Sequence, residues 1–276
     1  MHKTLLRATA LLTTVVAAPF CLALTLEGEV MQGNILFGQA APGSEVLLDG
    51  EPLLVTADGA FVFGFGRDDT GTVLLQVVSP AGAIESSELT IQPREYNIER
   101  VDGLPPATVT PPPEVLERIR DDNRQVAAAR TRRDLRNDWS SGFIWPAQGR
   151  LSGFYGSQRV LNGEPRRPHY GVDVAAATGT PVVAPAPGIV TLAHPDMYYS
   201  GGTIIIDHGM GLSSTFLHLS AVDVEVGMTV EQGQLIGKIG ATGRATGPHL
   251  DWRMNWLDKR VNPQPLVGPM EAPPAD

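Results

Sequence analysis

Short apolar runs separated by glycine- and proline-containing turns constrain the fold of this chain more than any other feature. Glycine contributes 30 and proline 23 of the 276 residues, which argues against a helical bundle or a coiled coil. Between residues 24 and 94 the apolar runs recur at even spacing, and turn signals such as Asp49-Gly50 and Asp58-Gly59 separate them. This pattern predicts a small antiparallel β-sandwich over 24–94. Because it contains no group of potential catalytic or ligand residues, we interpret it as a spacer or a binding module.

The first residues predict a targeting segment. Lys3 and Arg7 precede an uncharged run over 8–24, which is short for a membrane span. A charged start followed by such a run predicts a secretory signal peptide over 1–23, and an uncleaved N-terminal membrane anchor is the alternative. The signal implies export, so we expect a periplasmic or secreted protein. Cys21 is the only cysteine and lies in this signal, so the mature chain would have no thiolate ligand.

Residues 95–143 predict a linker that contains one helix. Prolines cluster over 105–113, where they fix an extended backbone and exclude a helix. From Glu114 to Asp138 the chain carries seven arginines, six acidic residues and only a thin apolar stripe. We expect a solvated helix packed along one edge here, and a helix that binds a partner is the alternative. At the end of the chain, the acidic, proline-rich residues 268–276 predict a disordered tail.

The charge of the chain limits its partners. The formal net charge is −9 at pH 7, and residues 24–94 alone hold ten acidic residues against two arginines. A nucleic-acid-binding protein needs a basic footprint, so we expect no nucleic-acid partner. A protein of the cell envelope is the candidate partner for the predicted sandwich or the linker helix.

A second β domain is predicted over 144–267, where the sequence becomes rich in glycine and β-branched residues. No long amphipathic helix is present in this region. The fold class is therefore mainly β, with an N-terminal sandwich, a linker helix and a C-terminal antiparallel β domain. The predicted strands are Gly188–Ala193, Thr203–Asp207, Ser213–His218 and His249–Trp256, with a hairpin formed by 228–230 and 235–239.

The histidines of the mature chain all lie in this second domain, within 81 consecutive residues. His169 and Asp173 flank a turn that enters a strand, where the two side chains can converge on one point. His249 and Asp251 point to the same face of a strand, because alternate strand residues share a face, and Leu250 points into the core. Imidazole and carboxylate groups are the ligands that zinc accepts when no thiolate is available.

Taken together and in this order, these residues resemble the lysostaphin-type (LytM) zinc metallopeptidases of bacterial cell walls. The resemblance covers about residues 144–267. It is carried by the motifs His169-x-x-x-Asp173, Gly179-Thr180-Pro181-Val182, Ile206-Asp207-His208-Gly209, His218-Leu219-Ser220 and Gly243-x-x-x-Gly247-Pro248-His249-Leu250. It implies a compact antiparallel β fold with a groove, a Zn²⁺ cofactor, and hydrolysis of peptide bonds in peptidoglycan.

The resemblance also assigns roles to individual residues. It implies that His169 and Asp173 bind zinc, and that His218 and His249 are the catalytic histidines. The third zinc ligand of the family is normally a histidine, and this chain has Asp251 at that position. Aspartate is a competent zinc ligand, so we expect a metal site formed by His169, Asp173 and Asp251.

Asp251 keeps a second hypothesis open. Two carboxylate ligands would make the bound zinc formally neutral, so that it polarises water and carbonyl groups less strongly. The alternative to an active endopeptidase is therefore a degenerate, non-catalytic protein that binds the cell wall or activates another wall hydrolase. A lipoyl-like carrier domain is a third hypothesis, but Lys238 lies within a predicted strand rather than at a turn. We expect a structural role for His208 and a surface-loop position for His194.

Overall fold

The computed structural model describes residues 24–101, 113–161 and 163–270. The predicted signal peptide over 1–23 and the proline cluster of the linker up to residue 112 lie outside the described residues, as do residues 271–276. Within the described residues, strands dominate and one α-helix is present. The predicted mainly β fold class is confirmed. No helix of the described residues is long and apolar enough to cross a membrane.

The first eight strands form the N-terminal part of the structure. They are β1 (Thr25–Glu27), β2 (Ile35–Gln39), β3 (Glu45–Leu48), β4 (Glu51–Pro52), β5 (Ala60–Gly64), β6 (Thr72–Val78), β7 (Ile84–Thr90) and β8 (Ile98–Val101). The first seven make two antiparallel sheets, in the orders β1-β2-β5 and β4-β3-β6-β7. Phe61 and Phe63 of one sheet share a buried cluster with Leu75 and Val77 of the other, as expected for a small sandwich.

The helix α1 (Leu116–Ala129) follows a 3-10 turn over Pro113–Val115. Its thin apolar side packs on the C-terminal domain, where Val126 and Ala129 contact Leu192, Met197 and Ile205. The helix ends at Ala129, although the charged segment continues to Asp138. The remainder has no regular secondary structure up to Asn137, and it is held to the domain by the ion pair of Arg136 with Asp207.

Twelve further strands of the described chain follow. They are β9 (Arg150–Gly153), β10 (Gln158–Leu161), β11 (Glu164–Pro165), β12 (Val172–Ala175), β13 (Pro181–Val183), β14 (Gly188–Met197), β15 (Gly201–Asp207), β16 (Leu212–Val222), β17 (Thr229–Val230), β18 (Leu235–Ile239), β19 (His249–Trp256) and β20 (Lys259–Val261). Short 3-10 helices lie at Asp138–Ser141 and Gln264–Leu266. A ten-stranded sheet contains the path β17-β14-β15-β16-β19-β12-β9, and its paired strands are antiparallel.

The predicted hairpin between 228–230 and 235–239 is wrong. Strand β17 pairs with β14, whereas β18 pairs with β13 and β16. The turn around Gly233 is present, but the strands on either side of it do not pair with each other, because each finds its hydrogen-bond partners elsewhere in the sheet.

The N-terminal sandwich and the C-terminal domain pack against each other. Lys259 forms an ion pair with Asp69, and the Asn262 amide donates a hydrogen bond to the Gly33 carbonyl at 2.7 Å. Buried apolar residues of both parts belong to one hydrophobic cluster. The linker also contributes a strand, because β8 pairs in parallel with β10.

The described end of the chain is packed as well. The Gly268 carbonyl accepts a hydrogen bond from the Trp145 ring at 2.8 Å, and Met270 packs against the core. The expected disordered tail over 268–276 therefore begins with a segment in which Gly268 and Met270 contact the domain.

Candidate metal centre and cleft

A cleft of about 1140 Å³ opens on one face of the large sheet. His169, Asp173 and His218 line it together with residues of the linker, among them Asn97 and Arg130. The linker therefore forms part of the cleft wall.

Three of the predicted site residues come together beside this cleft, and we call these three the metal group. His169, Asp173 and Asp251 each offer one ligand atom, and these atoms all lie within 4.8 Å of one another. The register of the sheet explains the grouping, because Asp173 on β12 lies opposite Asp251 on β19. Imidazole and carboxylate donors at this separation suit a divalent transition metal such as zinc.

Two glycines make room for this group. A Cβ atom at Gly171 would collide with the Asp251 carboxylate and with Arg253, and one at Gly153 would collide with Asp173. Both positions need a residue without a side chain, because the ligand groups approach the backbone closely.

Part of the site has polar atoms without partners. Nε2 of His169 and Oδ1 of Asp173 are buried and lie 3.2 Å apart, yet neither has a hydrogen-bond partner among the described residues. Buried polar atoms are normally hydrogen-bonded, so two such atoms facing each other fit a shared cation. Burial opposes charge on His169, but the carboxylates of Asp173 and Asp251 outweigh it and raise the pKa of His169.

The carboxylate of Asp251, in contrast, has hydrogen-bond partners on both of its oxygens. This buried carboxylate accepts hydrogen bonds from Nε of Arg253 at 3.0 Å on both oxygens, and from Nη2 at 2.5 Å. Burial alone would raise the pKa of Asp251, but Arg253 more than reverses this effect and lowers the pKa. A metal would share this carboxylate with a cation that the protein itself provides.

The two predicted catalytic histidines are neighbours. The rings of His218 and His249 lie 4.8 Å apart. Nδ1 of His218 lies 2.9 Å from the Thr242 carbonyl, and Nδ1 of His249 lies 2.8 Å from the Gly247 carbonyl. A carbonyl oxygen can only accept, so each Nδ1 carries a proton, and in the neutral tautomer that this requires Nε2 has the lone pair. Burial lowers the pKa of His218, which favours this neutral form.

Backbone strain occurs at the same place. His218 has a φ angle of 65°, in the left-handed region that residues with a side chain rarely adopt. Strained backbone of this kind persists where surrounding structure holds it, often at functional sites.

Comparison with known proteins identifies the group to which the chain is related. A crystal structure described as a peptidase M23 from Pseudomonas aeruginosa has 30% sequence identity and a TM-score of 0.65, and the match covers 86% of this chain and 94% of that one. The chain belongs to peptidase family M23. The family's own sequence pattern matches residues 167–263.

Two curated relatives are similar to this chain over a little more than a third of its length. A protein from Vibrio cholerae named peptidoglycan DD-endopeptidase ShyA is 40% identical over 105 residues, which is 37% of this chain. One from Neisseria meningitidis named DD-carboxypeptidase/endopeptidase Mpg is 41% identical over 100 residues, or 36% of this chain. The chain spans only 24% and 22% of the length of these two relatives.

The other two histidines of the M23 domain lie outside the metal group. His208 is fully buried, with Nδ1 2.7 Å from the Pro187 carbonyl and Nε2 2.9 Å from the Ser214 hydroxyl. Burial lowers its pKa to about 4, which fits the expected structural role. His194 lies within β14, paired with Thr203, so its expected surface-loop position is wrong.

Sequence reasoning missed the three half-buried arginines among those that line the cleft: Arg130, Arg253 and Arg260. The alternation that joins His249 to Asp251 also puts Arg253 on their face, so that signal was available. Arg130 gave no such signal, because it precedes the matched M23 residues and is brought to the cleft by α1.

Proposed function

We propose that this chain is an exported zinc metalloendopeptidase that hydrolyses peptide bonds of peptidoglycan. Membership of family M23 supports a peptidase, and the curated relatives named as peptidoglycan endopeptidases support the substrate. The observation that carries the proposal is the pair of partnerless buried atoms, Nε2 of His169 and Oδ1 of Asp173, beside the Asp251 carboxylate.

In this proposal His169, Asp173 and Asp251 hold the metal. Zinc held there would supply a water molecule of lowered pKa and would polarise the scissile carbonyl. His218 and His249 take protons through their Nε2 atoms and hydrogen-bond the charge that develops on the substrate oxygen. Their Nδ1 hydrogen bonds to backbone carbonyls hold both rings in the required orientation and tautomer.

The test separates metal binding from catalysis. We expect His169→Ala to lose both bound zinc and hydrolysis of purified cell wall. His249→Ala should keep zinc but lose hydrolysis by about 10²–10⁴-fold, since it removes an acid–base group rather than a ligand. Elemental analysis and mass spectrometry of the released peptides measure the two effects.

His194→Ala is the matched control, because this histidine of the same domain lies outside the metal group. It should keep both zinc and activity. Undiminished hydrolysis by zinc-free wild type would refute the proposal.

The second candidate is a non-catalytic wall-binding protein or activator of another wall hydrolase. The ion pair between Asp251 and Arg253 favours it, because the third ligand already has a counter-charge. In that case wild type would bind wall without zinc and without cleavage, while a variant carrying both Asp251→His and Arg253→Gln would acquire zinc.

A further inference from the structure

In the part of the chain that the structure describes, seven arginines but only two acidic residues line the cleft beside the metal group, and three of these arginines are half-buried. The three are Arg130, Arg253 and Arg260. Of these three, only Arg253 has a carboxylate partner, which is Asp251. Within the described residues, no carboxylate lies within 4.0 Å of the guanidinium of Arg130 or Arg260.

Strand register brings these groups together on one face of the sheet. Arg253 on β19 lies opposite Thr215 on β16, and Nη2 of Arg130 donates to the Thr215 hydroxyl at 2.9 Å. Arg260 on β20 lies opposite Asn255, the next residue of β19 on the same face as Arg253. The arginines therefore continue the row that begins with the metal ligand Asp251.

Holding these three arginines close together in a half-buried cleft is energetically unfavourable. Nε of Arg130 is buried without a hydrogen-bond partner among the described residues. Burial, followed by the charges of Arg260 and Arg253, lowers the pKa of Arg130 to about 9. Burial, followed by the charges of Arg253 and Arg167, lowers the pKa of Arg260 to about 10. Both groups stay charged at neutral pH, so an anion in the cleft would relieve their mutual repulsion.

We propose that Arg130 and Arg260 form a subsite for a free carboxylate of the substrate peptide, next to the scissile amide. This inference rests on the proposed function, because it assigns the substrate group that the same cleft binds. Guanidinium groups match carboxylates through paired, charge-assisted hydrogen bonds. The subsite would select peptides whose carboxylate lies close to the bond that is cleaved.

The experiment measures binding with metal-free protein, so that zinc cannot itself bind the carboxylate. The probes are N-acetyl-D-alanyl-D-alanine and its C-terminal amide, which differ only in the charge at one end. By isothermal titration calorimetry, wild type should bind the acid about tenfold or more tightly than the amide. Arg130→Gln and Arg260→Gln should each lose most of this preference.

Arg124→Gln is the matched control, since Arg124 is exposed on the same helix and pairs with Asp121. It should keep the wild-type preference. The charge-conserving variants Arg130→Lys and Arg260→Lys should retain part of it, and thermal melting checks that every variant is folded. If one glutamine variant fails to fold, the lysine variant at the same position still tests that arginine.

Equal binding of acid and amide, including no detectable binding of either in the millimolar range, would overturn the subsite. Inorganic phosphate that displaces the acid at equal concentration would overturn it too, since the cleft would then be a general anion site. Hydrolysis is not part of this readout. If the protein prefers the acid but does not cleave cell wall, the carboxylate subsite is supported and the peptidase function is rejected. If it cleaves cell wall without preferring the acid, the peptidase function is supported and the subsite is rejected.

Discussion

The two sides of the metal group differ in how their polar atoms are satisfied. On one side, His169 and Asp173 present buried atoms without hydrogen-bond partners. On the other side, Asp251 is held by a guanidinium through both of its oxygens. One side is open to a cation, and the other already contains one. A carboxylate can therefore stand at the position of a metal ligand and still be occupied by another cation, as Asp251 is by Arg253.

The largest expected effect comes from removing the built-in cation. Arg253→Gln leaves Asp251 as a buried charge without a counter-charge, so the metal-free protein should lose about 3–5 kcal/mol of unfolding free energy. Zinc should restore more stability to this variant than it adds to wild type. Urea unfolding with and without zinc measures both effects.

Arg124→Gln provides the comparison, because it removes an exposed ion pair worth about 0–1 kcal/mol. If Arg253→Gln were as stable as this control, Asp251 would not depend on its arginine, and the two sides of the site would be alike.

In contrast to His169, the buried His208 has a hydrogen-bond partner for both of its ring nitrogens. Its pKa is about 4 in the folded protein against the ordinary 6.5 of an exposed histidine, so the unfolded chain takes up a proton first as the pH falls. Stability should therefore decrease by about 3 kcal/mol between pH 6.5 and 4, with no contribution from His208 above that range. Denaturant unfolding across this pH range measures the slope.

In the His208→Gln variant this slope should be shallower, whereas His194→Gln should keep the wild-type slope. An unchanged slope in His208→Gln would mean that the buried imidazole does not control acid stability.

The smallest expected effect concerns zinc affinity. Asp251→His restores the family's usual ligand type but leaves Arg253 unpaired beside a cation, so it should gain little affinity by itself. Adding Arg253→Gln should increase zinc affinity by about tenfold, which is the size of effect that residues in contact with a metal ligand have on metal affinity. Competition with a zinc-binding dye measures this difference. Tighter binding by Asp251→His alone would show that the arginine does not oppose the metal.

The sequence predicted those parts of the site that depend on local alternation. Strand β19 runs from His249 to Trp256 as expected, and its unbroken register puts Leu250 and Trp252 in the core while His249 and Asp251 face the other way. The predicted metal ligands His169 and Asp173 came from the resemblance to a known family, and the fold groups them with Asp251.

The errors concern features that arise from contacts distant in sequence. The hairpin failed because turn residues do not reveal which other strands compete for the backbone hydrogen bonds of β17 and β18. The contribution of Arg130 depends on how α1 packs against β14, which no local pattern encodes. The pairing of Asp251 with Arg253 is a local exception, because the alternation along β19 already puts both side chains on one face.

The shared hydrophobic cluster has a consequence for how the molecule unfolds. Phe37 of the sandwich stacks on Trp139 at 4.8 Å, and the side chain of Val261 packs directly against Gly64. Neither part can melt alone without exposing apolar surface of the other, so heating should give one cooperative transition for both. The sandwich thereby contributes to the rigidity of the domain that contains the cleft, and its Arg67 hydrogen-bonds directly to Gln158 of the cleft wall.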